Sequence, residues 1–585
     1  MTPSRELHVS LGGDDANPGT AEKPLRTISA AAVVAEAGDT VTVHAGVYRE
    51  RIDPPRGGTS DDCRIVYQAA PGERVEIAGS EVVAHWQRVA RGVWQAILPN
   101  SFFGTFNPFA TEICGDWFDA KGRKHHRGAV YLDGEEIPEG DGAGFRLLDP
   151  SLESMEWIVT VDANETTIKA RFGTIDPNAA LVEVAARPTV FYPSKPGIHF
   201  LTVRGFVLRH AATPWAPPTA EQIGLLGTHW SRGWRIENNE IHHSRCAGIT
   251  LGKYGDSFDN ASANSAEGYV NTIRRALECG WNEESVGSHF VLNNHIHHCE
   301  QAGIVGSMGA AFSEISGNTI HDIHRQRLFD GAEQGGIKLH GAVDVRISQN
   351  HIFRTPFGIW LDWMGQGTHI SGNCCHDNSL YDLFLEVNHG PILIDNNVFL
   401  SPGGVFDRSQ GTAFVHNVIV GFLWLWPDLE RSTPYLHPHR TSIAGFSLVP
   451  GGDARFLNNL IGDREGFAAY SQTEQPCLLE GNVFLRCPPA CRVDGDALGM
   501  ELEILPEPAR TPCQRITPGH LGQTLVSQQD FIEPGGCPTS SDPLWSPSGM
   551  AANPVRPGPI LAAGGVTGME WSSDASSLIL RTNCQ

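Results

Sequence analysis

Apolar residues fall in short stretches broken by single polar positions, and one phrase keeps returning: apolar-x-x-Asn-x-apolar. It reads IENNEI at 236–241, VLNNHI at 291–296, ISGNTI at 315–320, ISQNHI at 347–352 and ISGNCC at 370–375. It continues as IDNNVF at 394–399, FVHNVI at 414–419, FLNNLI at 456–461 and LEGNVF at 479–484. The aligned residues are Asn239, Asn294, Asn318, Asn350, Asn373, Asn397, Asn417, Asn459 and Asn482, spaced from Asn318 onward by 32, 23, 24, 20, 42 and 23 residues. This period is too short for a propeller blade, and the leucine pattern of a leucine-rich repeat is absent. It predicts coils of a right-handed parallel β-helix, each short strand pairing with its equivalent in the next coil. Asn at a fixed turn position tolerates a left-handed backbone and bonds neighbouring main chain. The nine asparagines are therefore expected to stack as a ladder.

The flanking segments complete the architecture. LHVSLG at 7–12 and TVTVH at 40–44 alternate like strands, and PLRTISAAAVVAEAG at 24–38 reads as an amphipathic helix capping the open end of the solenoid. The Asn phrase is missing from about 80 to 195, where AVYLDGEEI (129–137), WIVTVD (157–162) and TTIKARF (166–172) predict an inserted β-sandwich, with Asp133-Gly134 as a hairpin turn. Coils resume at HFLTVRGFVLRH (199–210), and a second insertion at 253–288 carries a helix near 268–280. The expected fold class is all-β: a right-handed parallel β-helix with an N-terminal cap helix and an inserted β-sandwich. Its parts are 1–79 (cap and first coils), 80–195 (sandwich), 196–500 (main helix) and 501–585, a Pro/Gly-rich C-terminal extension.

Three consecutive coils carry unusual residues in one register: GIKLH (336–340), GIWLD (358–362) and DLFLE (382–386). Strand alternation turns Ile337/Leu339, Ile359/Leu361 and Leu383/Leu385 inward. Lys338, Trp360 and Phe384 then stack outside, as do His340, Asp362 and Glu386. Adjacent parallel strands lie ~4.8 Å apart, so Asp362 and Glu386 are expected to be outward carboxylates ~5 Å apart. That is the spacing of a retaining glycosidase, whose carboxyl groups sit ~5–5.5 Å apart. Two like charges that close should raise one pKa. Exposed Trp360, Trp363, Phe384 and His389 beside them suit sugar rings, and Lys338 and His340 supply charge and hydrogen bonds. In GGVFDRSQ (403–410) either Asp407 or Arg408 could stack beside Glu386; the reading favours Asp407 outward, with Phe406 in the inward slot of Leu385.

Composition narrows the classes. With 43 Lys+Arg against 66 Asp+Glu the formal charge is −23, which repels phosphate backbones and anionic membrane surfaces. No run of ~18 apolar residues offers a membrane span, and the N-terminus lacks the apolar stretch of a signal peptide. The 13 cysteines, scattered and without CxxC, read as mostly buried, reduced thiols in a cytoplasmic protein. No cofactor motif is visible. The pairs His242-His243 and His297-His298 recur just after the Asn phrase and read as solvent-facing turn residues, so no metal is expected.

GIWLDWMGQGTHISGN (358–373), LYDLFLEVNHGPILIDNN (380–397) and FDRSQGTAFVHN (406–417) resemble the β-xylosidases of glycoside hydrolase family 120. NPGTAEKPLRTI, NSFFGTFNPF (100–109) and GDWF (115–118) are similar too, and the likeness covers most of 5–490. The resemblance implies a retaining, exo-acting enzyme on a β-helix interrupted by a β-sandwich. It implies Asp362 as nucleophile and Glu386 as general acid/base, Glu333 and Lys338 lining the non-reducing-end sugar subsite, and Trp117 as an aromatic approaching the substrate. Asn388 and His389 lie in the same motif. It also points to a xylooligosaccharide substrate and a homo-oligomer. Competing readings are an α-L-arabinofuranosidase or, given how many β-helices cleave uronates, a polysaccharide lyase, which wants a calcium site of several acids and a Lys or Arg base.

Overall fold

The computed structural model describes residues 4–90, 92–142, 155–451, 453–462, 467 and 477–484, with the backbone of four further strands between 500 and 582. They form two units: 1–276 with 284–309 and 321–335, and 277–283 with 310–320 and 336–585.

In the first unit, coils of parallel strands build three sheets. Glu6–Val9, Thr40–Val43, Ile65–Ala69, Leu201–Arg204, Arg235–Glu237 and Phe290–Leu292 pair in that order. Gly46–Tyr48, Val75–Ala78, Val207–Ala211, Glu240–Ser244 and His295–Cys299 form the second sheet, and Leu226–Gly227, Ala247–Thr250 and Ala302–Ser307 the third. The cap helix is Ile28–Val34, shorter than expected because Asp15 takes the Arg26 and Thr27 amides, at 2.9 and 2.8 Å. Thr27 Oγ1 accepts from Ala30 N, and Glu50 accepts from the amides of Ile28 and Ser29, so a carboxylate meets the positive helix end. Ile28, Ala31 and Ala32 bury against the coils.

Two four-stranded antiparallel sheets interrupt the coils. Their strands run from Ser80–Val82 to Val182–Ala185 and enclose one core containing Trp86, Phe109, Trp157 and Phe172. This is the sandwich that the missing Asn phrase predicts. Asp133 (φ 51°) and Gly134 (φ 93°) make its hairpin turn. The second insertion holds the helix Ala266–Glu278, with Tyr269, Val270 and Ile273 buried.

The second unit repeats the coil. Glu314–Ser316, Arg346–Ser348, Thr368–Ser371, Ile392–Asp395, Thr412–Val415, Arg455–Leu457 and Leu478–Glu480 form one parallel sheet. Ile315, Ile347, Ile370, Ile394, Phe414 and Phe456 stack inside it, fully buried. The interval of 42 residues between Asn417 and Asn459 is an antiparallel hairpin, Asp428–Leu436 with Ile443–Val449, inserted into one coil. Four strands, Met500–Ile504, Cys513–Pro518, Val566–Trp571 and Leu578–Thr582, make a separate antiparallel sheet. The rest of the expected C-terminal extension lies outside the described residues.

The asparagine ladder is continuous within each unit. In the second, Asn318, Asn350, Asn373, Asn397, Asn417 and Asn459 each donate their backbone N–H and Nδ2 to the Oδ1 of the next asparagine, at 2.8–3.0 Å. In the first, Asn239 bonds Asn294 the same way. The left-handed backbone belongs to the preceding residue instead: Asn238, Asn293, Gly317, Gln349, Gly372, Asn396, His416, Asn458 and Gly481 all have φ between 53° and 68°. The ladder Asn supplies the hydrogen bonds and its neighbour the turn.

The histidine pairs also differ from expectation. His242-His243 and His297-His298 lie within strands, His242 and His243 are buried, and His242 stacks on His297 at 4.9 Å. Strand pairing on the sheet turns them into a stacked column. Of eight described cysteines, all free thiols, Cys246, Cys299, Cys374 and Cys375 are buried, while Cys114 and Cys279 are exposed. Among the described residues no helix is long and apolar enough to cross a membrane.

Candidate active site

The third sheet of the second unit contains Gly335–His340, Phe357–Asp362, Tyr381–Glu386, Val405–Arg408 and Leu423–Leu425. The strands alternate apolar residues inward. The register sets Ile337, Ile359, Leu383 and Val405 in one inward row. Lys338, Trp360, Phe384, Phe406 and Trp424 form one outward row, and His340, Asp362, Glu386 and Arg408 another. Asp362 and Glu386 are thus direct partners on adjacent strands, one spacing of ~4.8 Å apart in backbone.

Arg408, not Asp407, stands beside Glu386. Asp407 takes the inward slot after Leu385 and is fully buried. Two effects decide this. Phe406 prolongs the outer aromatic row, lying 4.8 Å from Phe384 with planes 4° apart. The carboxyl inside is satisfied by Ser409 N on Oδ1 and Thr412 Oγ1 on Oδ2, both at 2.9 Å. Burial still pushes the Asp407 pKa up to about 7, against those two hydrogen bonds.

The outward face around Asp362 is covered, so the aromatics there are not the exposed residues that the sequence suggests. Trp360, Trp363 and Phe384 are buried, as are Lys338, His340 and Asp362. Lys338 Nζ donates to Asp362 Oδ2 at 2.8 Å and sits 3.4 Å from the centre of the Trp360 ring. His340 Nε2 is 3.6 Å from the same Oδ2. Burial, then the Lys338 charge, push the His340 pKa down to about 3 despite Asp362, so this imidazole is neutral near pH 7.

Glu386 is held by residues that no repeat pattern reveals. Arg431 Nη2 donates to Glu386 Oε1 at 2.7 Å, and Arg408 Nη1 lies 3.9 Å from that oxygen. Asp428 bridges both arginines, at 2.6 Å to Arg408 and 2.9 Å to Arg431. Arg431 and Asp428 belong to the inserted hairpin, and the 42-residue interval is the only sequence signal for it. His389 fastens this hairpin: its Nε2 is 2.9 Å from Thr433 Oγ1 and its Nδ1 3.1 Å from Gln410 Nε2. Gln366 donates to Leu436 O at 3.0 Å and accepts from His439 N at 2.8 Å. Asn388 is committed to the turn, since Oδ1 accepts from Gly365 N and Nδ2 donates to Leu361 O and Ser409 Oγ. It therefore serves the scaffold rather than presenting a free edge to a ligand.

The residue following each carboxylate is left-handed: Trp363 at φ 48° and Val387 at φ 49°. The corresponding position after His340 is Gly341. A bulky or β-branched residue there costs about 1–3 kcal/mol, and the turns are held by Trp363 N to Glu386 O and Val387 N to Arg408 O.

Two other expected residues lie in the first unit. Trp117 N donates to Asn264 Oδ1 at 2.7 Å, and Trp117 O accepts from Ala332 N at 3.1 Å. The short pairing of Phe118–Asp119 with Asp330–Gly331 brings buried Glu333 close to Trp117 in the fold.

The chain is similar to several known proteins. The model for the glycoside hydrolase 120 insertion domain matches residues 83–144, that for a right handed beta helix region matches 223–419, and that for a protein of unknown function (DUF1565) matches 11–53. The solved complex of XylC with xylose is 38% identical, spans 88% of this chain and 89% of its own, and superposes with a TM-score of 0.82. The uncharacterized protein YwoF of Bacillus subtilis (strain 168) is 42% identical over 76 residues, 13% of this chain and 16% of its own length. This chain thus spans about a sixth of YwoF. A structure titled glycoside hydrolase is 12% identical over 82% of this chain and 96% of its own, with a TM-score of 0.46.

Proposed function

The chain belongs to glycoside hydrolase family 120, and from that membership we propose that it is a retaining, exo-acting β-xylosidase that releases single xylose units from the non-reducing ends of β-1,4-xylooligosaccharides. The observation that carries the mechanism is the register pairing of Asp362 with Glu386. One strand spacing supports the ~5–5.5 Å carboxyl separation of a retaining pair rather than the ~6.5–9.5 Å of an inverting pair. Xylose in the XylC complex supports the choice of sugar.

In this mechanism Asp362 attacks the anomeric carbon as Glu386 gives its proton to the departing glycosidic oxygen, leaving a xylosyl ester on Asp362. Glu386 then takes a proton from water, which attacks the same carbon and frees Asp362. Lys338 donates to Oδ2 of the attacking carboxylate, and Arg431 fixes the Glu386 side chain. Charge-assisted contacts of this kind restrict the rotamers from which attack is productive. Scattered cysteines without a CxxC pair support action in the cytoplasm, where imported oligomers are trimmed.

Proton NMR of xylobiose hydrolysis tests the proposal. β-Xylose should appear first and mutarotate later; α-xylose as the first product would exclude retention. Parallel assays with aryl β-xyloside and aryl α-L-arabinofuranoside decide the sugar, and faster turnover of the arabinoside would overturn the xylosidase assignment.

A further inference from the structure

We propose that Glu240, His295 and His297 form a binding site for a divalent transition metal ion of the zinc type, on the outer face of a parallel sheet in the first unit. Strand His295–Cys299 begins His-x-His, and alternation sets both imidazoles on one face, their ring centres 4.6 Å apart. Glu240 is the direct register partner of His295 on the neighbouring strand. Glu240, His295 and His297 each offer a ligand atom, and these three atoms all lie within 4.8 Å of one another. Donors bound to one tetrahedral zinc at ~2.1 Å stand about 3.4 Å apart. Glu240 Oε1 and His297 Nε2, at 3.6 Å, are too far apart for a hydrogen bond and close to that tetrahedral edge.

The surroundings orient the rings. His297 Nδ1 lies 2.7 Å from His298 Nδ1, which leaves Nε2 facing Glu240. Asp322 Oδ2 lies 2.6 Å from His321 Nδ1, and His321 Nε2 is directed at His295 Nε2, at 2.7 Å. The Asp322–His321 pair thus positions the His295 ring through its Nε2. The stack of His242, His297 and His321 keeps the rings parallel, within 2° and 6°. His295 is exposed and the Glu240 side chain is 33% exposed, so an ion has a path in and a water can complete the shell. Arg74 approaches the other oxygen, Glu240 Oε2, at 3.4 Å and leaves Oε1 to the metal. Two imidazoles and one carboxylate select zinc over calcium or magnesium, which take all-oxygen shells.

The full-length protein, stripped with chelator and dialysed, should bind one equivalent of Zn2+ by isothermal titration, with Kd tighter than about 10 μM. Co2+ should give the visible absorption of a tetrahedral site. His295→Ala and Glu240→Gln, both at accessible strand positions, should each weaken Zn2+ binding at least tenfold and abolish the Co2+ band. The double variant His351→Gln/His376→Gln removes another close imidazole pair, 2.8 Å apart, and should bind as the wild type does. No binding by the wild type, undiminished binding by His295→Ala and Glu240→Gln, or equal loss in the control variant would each overturn the assignment.

Discussion

Lys338 and Asp362 form a buried ion pair at 2.8 Å, the ammonium lodged against the face of Trp360. Removing one partner of such a buried pair leaves the other less well compensated, at a cost of up to about 3–5 kcal/mol. Lys338→Met should lower the denaturant midpoint and cut kcat on an aryl β-xyloside at least about 100-fold. A folded variant with wild-type kcat would remove Lys338 from the positioning of Asp362.

The two carboxylates should separate by leaving group. Asp362→Ala should be nearly inactive on every substrate, because nothing replaces the attacking group. Glu386→Ala should still glycosylate from an activated aryl xyloside while losing xylobiose hydrolysis. Azide needs no general base and should restore turnover in Glu386→Ala, giving β-xylosyl azide. β-Azide from Asp362→Ala together with α-azide from Glu386→Ala would mean the roles are exchanged.

Arg431 acts through Glu386, so its loss should follow the same split more weakly. Arg431→Ala should reduce kcat/KM on xylobiose by about tenfold or more and on an activated aryl xyloside by much less, with Arg431→Lys recovering part of the difference. Equal losses on both substrates would assign Arg431 to substrate binding instead.

Asp407 gives a pH signature in stability. Its folded pKa of about 7 exceeds the ~3.9 of an unfolded Asp. Between those values the folded state holds a proton that the unfolded state has lost. Stability from this group is therefore greatest below about pH 4 and falls by about 1.4 kcal/mol per pH unit up to about 7. Asp407→Asn should flatten unfolding free energy over that range relative to wild type. An unchanged slope would show that Asp407 stays ionised in the core.

Asn397 is fully buried and tied on both sides: it accepts from Asn373 and donates to Ile370 O and Asn417 Oδ1. Asn397→Ala strands several backbone and side-chain groups, each worth about 1–3 kcal/mol. Thermal unfolding should show a loss of several kcal/mol with kcat per folded molecule nearly intact. A loss under about 1 kcal/mol would reduce the ladder to decoration.

What the sequence shows plainly is whatever the coil repeats. The Asn phrase locates the ladder, and alternation puts Asp362 beside Glu386, because a period of two leaves a strand no other way to bury Leu361 and Leu385. Asp407 defeats that logic, since a buried acid is improbable until Ser409 and Thr412 are seen to satisfy it. Arg431 and Asp428 escape for a different reason. They arrive from a hairpin whose contacts are set by tertiary packing, and only the length of one interval betrays it. The left-handed turn fell one residue before the Asn because a hydrogen-bonding side chain and a permissive backbone are separate jobs, here given to neighbouring residues.

The coils that separate successive ladder asparagines differ widely in length, from 20 residues between Asn397 and Asn417 to 42 between Asn417 and Asn459, yet the strands they join stay in register. Carboxylate spacing is thus metered by main-chain hydrogen bonds and is indifferent to how much chain the turns contain. Such a scaffold is evolvable in a particular sense. A turn can lengthen to add a wall beside the carboxylates, as the hairpin bearing Arg431 does, while the register that spaces them stays fixed.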